Sequence, residues 1–261
     1  MIEQKKFERI ILKAGEMLEK AFYQNKNIST KSTNYDLITD TDKSIELFLK
    51  EKFTKLLPDS EFLAEETDSA HKSSKYLWII DPIDGTTNFV HKYPFVCISV
   101  ALMIDNVLSF AITYNPILKE FYYAERGNGA YLNNTRIYVS TNFDFSKALL
   151  GTGFAYNFAN SMENNFNFFK EILPCVHGIR RAGSAALDLA YVAKGVFDGF
   201  WEWYLNPWDV CAGILLIKEA GGIVTNIYHQ DWRFEDQLLI AGSKEMHGKL
   251  YNKIQEIGFK N

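Results

Sequence analysis

The sequence predicts a mixed α+β and α/β protein in two closely joined halves. The N-terminal half packs helices on an antiparallel sheet, and the C-terminal half forms an α/β layer. Three observations carry this. Apolar residues recur at helical spacing in two early segments. Between residues 96 and 125, three apolar stretches are separated only by the tight turns Asp105-Asn106 and Asn115-Pro116, as in neighbouring antiparallel strands. Beyond residue 148, short apolar runs alternate with longer helical patterns. No repeat, low-complexity tract or long linker interrupts the chain. A soft boundary is therefore expected near Ser140 to Phe143, giving halves of residues 1–141 and 142–261 that share a substantial interface.

In order along the chain, Phe7, Ile10, Ile11, Ala14 and Leu18 mark a first amphipathic helix. Asn25 to Tyr35 is polar and reads as a loop. Ile45, Phe48, Leu49, Phe53 and Leu56 mark a second helix, ended by Pro58-Asp59. Phe62-Leu63 and Tyr76 to Ile80 read as short buried strands with acidic residues at their C-terminal ends. Strands are expected at Val96 to Met103, Val107 to Tyr114 and Glu120 to Glu125, followed by turns at Gly127-Asn128-Gly129 and Asn133-Asn134. In the second half, Ala148 to Gly151 reads as a strand and Ser161 to Ile172 as a helix. Ser184 is placed to cap a helix reaching about Lys194. Trp208 to Ala220 forms another helix, stopped by Gly221-Gly222. Strands at Ile223 to Asn226 and Leu238 to Ala241 precede a closing helix, Glu245 to Ile257.

Composition narrows the function. Hydrophobic residues make up 47% and charged residues 23% of the 261, enough for a core without disulfide or metal staples. A net charge of −4, a pI near 5.8 and no basic patch argue against nucleic acid as a partner. Cys97, Cys175 and Cys211 are far apart, with no CxxC, so neither a disulfide framework nor a thiolate metal site is expected. The start, MIEQKKFERI, has no apolar signal core, and the longest apolar run, Tyr93 to Ile104, is too short to span a bilayer. A reduced, cytoplasmic setting without membrane attachment is expected. The histidines show no metal-ligand spacing.

The chemistry lies in the carboxylates. In Trp78-Ile79-Ile80-Asp81-Pro82-Ile83-Asp84-Gly85-Thr86-Thr87, an apolar strand is expected to end on Asp81, with Pro82 preventing further pairing. Asp84 follows at a glycine turn. Two carboxylates on one turn, with no Lys or Arg between them, repel unless a cation is shared. Hard divalent cations such as Mg²⁺ take such oxygen ligands. Gly85-Thr86-Thr87 reads as a helix start able to receive a phosphate. Three further acidic segments have bland alternatives: a solvated loop at Glu65-Glu66, helix capping around Asp36 to Asp42, and capping by Asp209 after Trp208. All four segments nevertheless sit where an apolar element begins or ends, the usual place for site residues on a rigid scaffold.

These segments together resemble the inositol monophosphatase family of the lithium-sensitive sugar-phosphatase superfamily. The resemblance rests on Asp81-Pro82-Ile83-Asp84-Gly85-Thr86, on Glu65-Glu66 and on Asp36-Leu37-Ile38-Thr39-Asp40-Thr41-Asp42. Downstream it rests on Trp208-Asp209, Ala212-Gly213 and Gly221-Gly222, in family order over nearly the whole chain. It implies a layered α-β-α-β-α sandwich and two or three Mg²⁺ ions per site. It further implies Glu65, Asp81, the Ile83 carbonyl, Asp84 and Asp209 as metal ligands, with Asp81 bridging two ions. Thr86 and Asp42 would orient and deprotonate the attacking water, with Glu65 part of the catalytic centre. Asp84, Gly85, Thr86, Gly183, Ser184, Ala185, Glu202 and Asp209 would contact substrate; Ser184 stands where the family often has Thr. The implied reaction is in-line hydrolysis of a small phosphorylated polyol, foremost myo-inositol monophosphate, and the implied assembly is a homodimer. NADP(H), fructose 1,6-bisphosphate and 3′-phosphoadenosine nucleotides are alternative substrates, and Arg180 and Arg181 are candidates for a second phosphate. A haloacid-dehalogenase-type phosphatase fits poorly, because two residues rather than one separate Asp81 from Asp84. A non-catalytic metal-binding module fits poorly as well, because every matched position is intact.

Overall fold

The computed structural model describes residues 4–24, 28–30, 37–67, 74–154 and 158–258. Asp36, His71 and most of the polar stretch from Asn25 to Tyr35 lie outside them. Helix α1 (Gln4–Phe22) is followed by β1 (Ile28–Thr30) and β2 (Leu37–Thr39), which pair antiparallel. Part of the expected loop is thus a small hairpin strand. After α2 (Asp40–Leu56) come β3 (Ser60–Ala64), β4 (Tyr76–Asp84), the one-turn α3 (Thr86–Val90), β5 (Cys97–Ile104), β6 (Val107–Asn115), β7 (Glu120–Glu125), β8 (Gly129–Leu132) and β9 (Thr135–Arg136). Strands β3 to β9 form a seven-stranded sheet in sequence order, parallel only between β3 and β4.

The second sheet contains β10 (Leu149–Thr152), β11 (Gly178–Arg180), β12 (Gly199–Trp203), β13 (Ile223–Thr225) and β14 (Leu238–Gly242), in the order β11-β10-β12-β14-β13. Its helices are α4 (Phe158–Ile172), α5 (Ala185–Ala193), α6 (Pro207–Glu219) and α7 (Lys244–Ile257).

Side-chain alternation along the strands stacks these elements into five layers, because successive residues face opposite sides of a sheet. On β4, Trp78 and Ile80 join Phe7, Ile11, Leu49 and Phe53 under α1 and α2. Leu77 and Ile79 instead meet Leu187, Leu189, Leu215 and Leu216 of α5 and α6. On β14, Leu239 and Ala241 face the same central helices, while Leu238 and Ile240 pack with Phe168, Met246 and Leu250 of the outer helices α4 and α7. The result is an α-β-α-β-α sandwich, as expected. Large apolar side chains are buried on both faces of the two larger sheets, and each one so buried is worth about 1.5–3 kcal/mol. The stack of Trp78 on Phe53, with ring centres 4.1 Å apart, locks the outermost pair of layers.

Several elements differ from expectation. Strand β4 continues past Asp81: Asp81 pairs with Ser99 and Asp84 with Cys97 across a register shift. Pro82 therefore sits in a bulge, where its missing N–H costs no ladder bond. Strands β2, β8, β9, β11 and β12 are not among those the sequence predicts. In β12 all five residues are buried, so the alternation that marks a half-exposed strand is absent. Among the described residues, no helix is long and apolar enough to cross a membrane.

Candidate active site

A cleft of about 780 Å³ opens where the end of β4 meets the N-termini of α5 and α6. Glu65, Asp81, Ile83, Asp84, Gly85 and Thr86 line it from one side. Gly183, Ser184, Ala185, Glu202 and Asp209 line it from the other. Of the site residues that the resemblance implies, Asp42 is absent from the wall and reaches the cleft through Thr86; of the two candidate arginines, Arg181 lines the cleft and Arg180 does not.

Hydrogen bonds tie the side chains of Asp42, Asp81, Asp84 and Asp209 to the scaffold. Asp42 is a capping residue that also touches the cleft-lining Thr86, so the capping reading does not displace it from the cleft. Its Oδ2 accepts the Thr39 N–H at 2.9 Å and the Thr39 hydroxyl, while Thr86 Oγ1 lies 3.3 Å from Oδ1. The Thr86 hydroxyl also lies 3.0 Å from the Ile83 carbonyl. Asp81 Oδ1 accepts the Ile83 N–H at 2.9 Å across the bulge. Asp84 Oδ2 accepts the Ser184 hydroxyl at 2.7 Å and the Ala186 N–H at 2.6 Å, linking the first sheet to the start of α5. Asp209 Oδ2 accepts the Asn206 N–H at 2.7 Å, a capping bond in the first turn of α6. Glu65 follows β3, its N–H bonded to the Ile80 carbonyl at 3.2 Å. The next turn is held by buried Glu46 of α2, which accepts the Glu66 N–H at 2.9 Å and the Thr67 hydroxyl.

Two glycines make room. Gly85 has φ +90°, and a Cβ there would meet the Phe95 carbonyl oxygen at 3.0 Å and the Gly183 carbonyl oxygen at 3.2 Å. A Cβ on Gly153 would lie 2.3 Å from both Glu202 carboxyl oxygens.

The electrostatics of the cleft are those of crowded like charges. Burial, then Glu65, Asp84 and Asp209, and a hydrogen bond shared with Glu65, push Asp81 well above the ordinary carboxyl range. Burial and the nearby charges of Asp84 and Glu65 push Asp209 up in the same way. Burial outweighs the donors from Ser184 and Ala186 and lifts Asp84 to about 6. Asp42 is lifted to about 6, chiefly by burial and against the hydrogen bonds from Thr39. Glu202 is raised by burial and Asp209, with Arg181 opposing.

The donors on offer are Glu65, three aspartates and the Ile83 carbonyl, all oxygen, which suits a hard divalent cation. Among the described residues, no group of three or more His, Cys, Asp or Glu side chains is already closed around a common point. The carboxylates line the cleft, with Asp84 turned to Ser184 and Ala186 and Asp209 turned to Asn206.

Sequence reasoning did not find Glu46 or Asp188. For Asp188 a signal was available, since it is the one charged residue in the otherwise apolar α5. The wall formed by Phe234 to Gln237 carried no comparable signal.

The family model for the inositol monophosphatase family matches residues 4–258. The chain is 40% identical over 216 residues to a protein named inositol-1-monophosphatase from Synechocystis, covering 82% of this chain and 75% of that one. It is 39% identical over 236 residues to a protein named putative Nus factor SuhB from Neisseria meningitidis, covering 90% of each. The crystal structure of the extragenic suppressor protein suhB from Bartonella henselae superposes with a TM-score of 0.91 at 35% identity, covering 97% of this chain and 98% of that one. With this match over almost its full length, and the family's carboxylate segments gathered in one cleft, the chain belongs to the inositol monophosphatase family and is a phosphoric monoester hydrolase.

Proposed function

We propose that the protein hydrolyses the phosphate ester of a small polyol, myo-inositol monophosphate foremost, in a Mg²⁺-dependent reaction. The observation that carries the proposal is the convergence of Glu65, Asp81, Asp84 and Asp209 on one cleft beside the Thr86–Asp42 pair, each aspartate raised by its neighbours or its burial. Glu65, Asp81, the Ile83 carbonyl, Asp84 and Asp209 would hold two or three Mg²⁺ ions, which when bound offset phosphoryl charge and acidify water.

The chain's own residues supply the rest. Gly85 and Thr86 offer backbone N–H groups to the phosphate. Thr86 Oγ accepts the proton of the attacking water and passes its own to Asp42, whose position near 6 leaves it ionised and basic at neutral pH. Ser184 and the Ala186 N–H hold Asp84 still while the phosphoryl group passes in line to water. Gly183, Ser184, Ala185 and Glu202 face the alcohol that leaves. Homodimer assembly and a cytoplasmic location belong to the same reading, and sedimentation of the purified chain checks the first.

The test is phosphate release from a panel of inositol monophosphate, fructose 1,6-bisphosphate, NADP⁺ and 3′-phosphoadenosine nucleotides, with and without Mg²⁺. Turnover confined to Mg²⁺ and fastest on inositol monophosphate is expected. Equal rates in EDTA would overturn the metal assignment, and preference for a nucleotide would overturn the polyol.

A further inference from the structure

We propose that Asp188 is a substrate-contacting residue that, with Glu202, binds neighbouring hydroxyl groups of the polyol and so selects hydroxyl-rich phosphate esters. The inference rests on the polyol-phosphatase reading above and adds to it a residue that reading does not use.

Helix α5 reads Ala-Ala-Leu-Asp-Leu-Ala-Tyr-Val-Ala, and Leu187, Leu189, Ala190 and Val192 around Asp188 are all buried in the core between the two sheets. An acid in such a helix is expensive to bury unless something hydrogen bonds it. Asp188 is 1% exposed, yet its Oδ1 has no hydrogen-bond partner among the described residues. Trp78 Nε1 and Thr113 Oγ1 are also unmatched, but neither residue lines the cleft, whereas Asp188 does. An unmatched buried acceptor on a residue that lines a cavity is one that a donor on a ligand entering the cavity can answer.

The surroundings indicate which donor. Asp188 shares the cleft wall with Glu202 and Asp84; burial first, then the charges of those two, raise its carboxyl, while Arg181 opposes them. Glu202 feels Arg181 in the same sense. Asp188 and Glu202 both line the cleft, and their carboxyl oxygens are acceptors, the complement of the hydroxyl groups of a polyol. An anionic group would be repelled there and an apolar group would leave both carboxyls unmatched. The site also lies near the reacting centre, because the Ala186 N–H, two residues before Asp188, is bonded to Asp84. Gly153 opposite keeps clear the space that the Glu202 carboxyl occupies.

The test compares Asp188→Asn and Asp188→Ala with wild type on two esters, myo-inositol 1-phosphate and the hydroxyl-free p-nitrophenyl phosphate, at saturating Mg²⁺. Thermal melts of each variant report folding separately. Asp188→Ala should raise KM for the inositol ester about tenfold or more, and its loss of kcat/KM there should exceed the loss on p-nitrophenyl phosphate by at least about tenfold. Asp188→Asn, which keeps an acceptor and gains a donor, should fall between. Equal losses on the two esters would make Asp188 structural and overturn the proposal, as would no loss on either. A wild-type protein inert toward both esters would overturn the phosphatase reading itself, and that result is seen before any variant is made.

Discussion

Replacing Asp84 with asparagine should stabilise the metal-free protein while abolishing turnover. Asp84 is 9% exposed, and burial is the leading cause that lifts its carboxyl from 3.8 to about 6. That displacement is roughly two units, each worth about 1.4 kcal/mol, so the ionised form is disfavoured in the fold by about 3 kcal/mol. Asparagine keeps an oxygen for the Ser184 hydroxyl and the Ala186 N–H and carries no charge. The sign follows from linkage. With the folded carboxyl above its unfolded value, the penalty is absent below about pH 4, grows as pH rises, and is complete above about 6. Melting curves in EDTA should therefore place Asp84→Asn above wild type at pH 8, by about 5 °C once sharing of the penalty with Glu65 is allowed for. The gap should close by about pH 4. Mg²⁺ should then raise the wild-type melting temperature more than that of the variant, since only the wild type retains the full ligand set. A variant less stable than wild type at pH 8 in EDTA, or a gap unchanged by acid, would refute the reasoning. Near-normal phosphate release by the variant would refute the ligand assignment.

Other outcomes follow from the same geometry. Thr86→Ala should lower kcat by about 10²–10⁴, the usual worth of a positioned proton acceptor, while calorimetric Mg²⁺ affinity changes little; the reverse pattern would remove Thr86 from the proton path. With Asp42 titrating at about 6, kcat/KM should decline as pH falls through that value and level off above it. Asp42→Asn should lose the acid limb and run at a uniformly reduced rate. Gly153→Ala puts a methyl group against the Glu202 carboxyl, so KM for polyol esters should rise several-fold while circular dichroism stays native.

What could be read from the sequence depended on whether a pattern was local. Helices α5 and α6 carried a start and a stop signal respectively: Ser184 does accept the Leu187 N–H, and Gly221-Gly222 does follow α6. The strands of the hairpin series were marked by their turns. Strand β12 escaped because its neighbours bury both faces, a fact of the tertiary layers that no alternation can signal. Consequently Glu202 was reached only through the family resemblance. Asp81 and Asp84 were evident as a motif, yet their strand was cut short at Pro82, because a bulge depends on the partner strand and leaves no trace in the bulged one. The roles of Asp42 and Asp209 looked like a choice between capping and chemistry; the structure shows one oxygen of each engaged by the helix terminus. Glu46 was invisible for a different reason. Its hydrogen bond to the Glu66 N–H spans 20 residues, and nothing in the helix around it marks that reach.

Asp84 belongs to the first sheet by its backbone and to helix α5 by its side chain. Whatever settles against its carboxyl must therefore take part in how firmly the two sheets are held together. By thermodynamic reciprocity, if a cation at Asp84 favours the closed seam by some factor, the closed seam favours the cation by the same factor, and a substitution that loosens the seam, however far from the cleft, would weaken cation affinity by up to that factor. A cation held at Asp84 would in this sense be gripped by the whole assembly, through a single hydroxyl and a single amide.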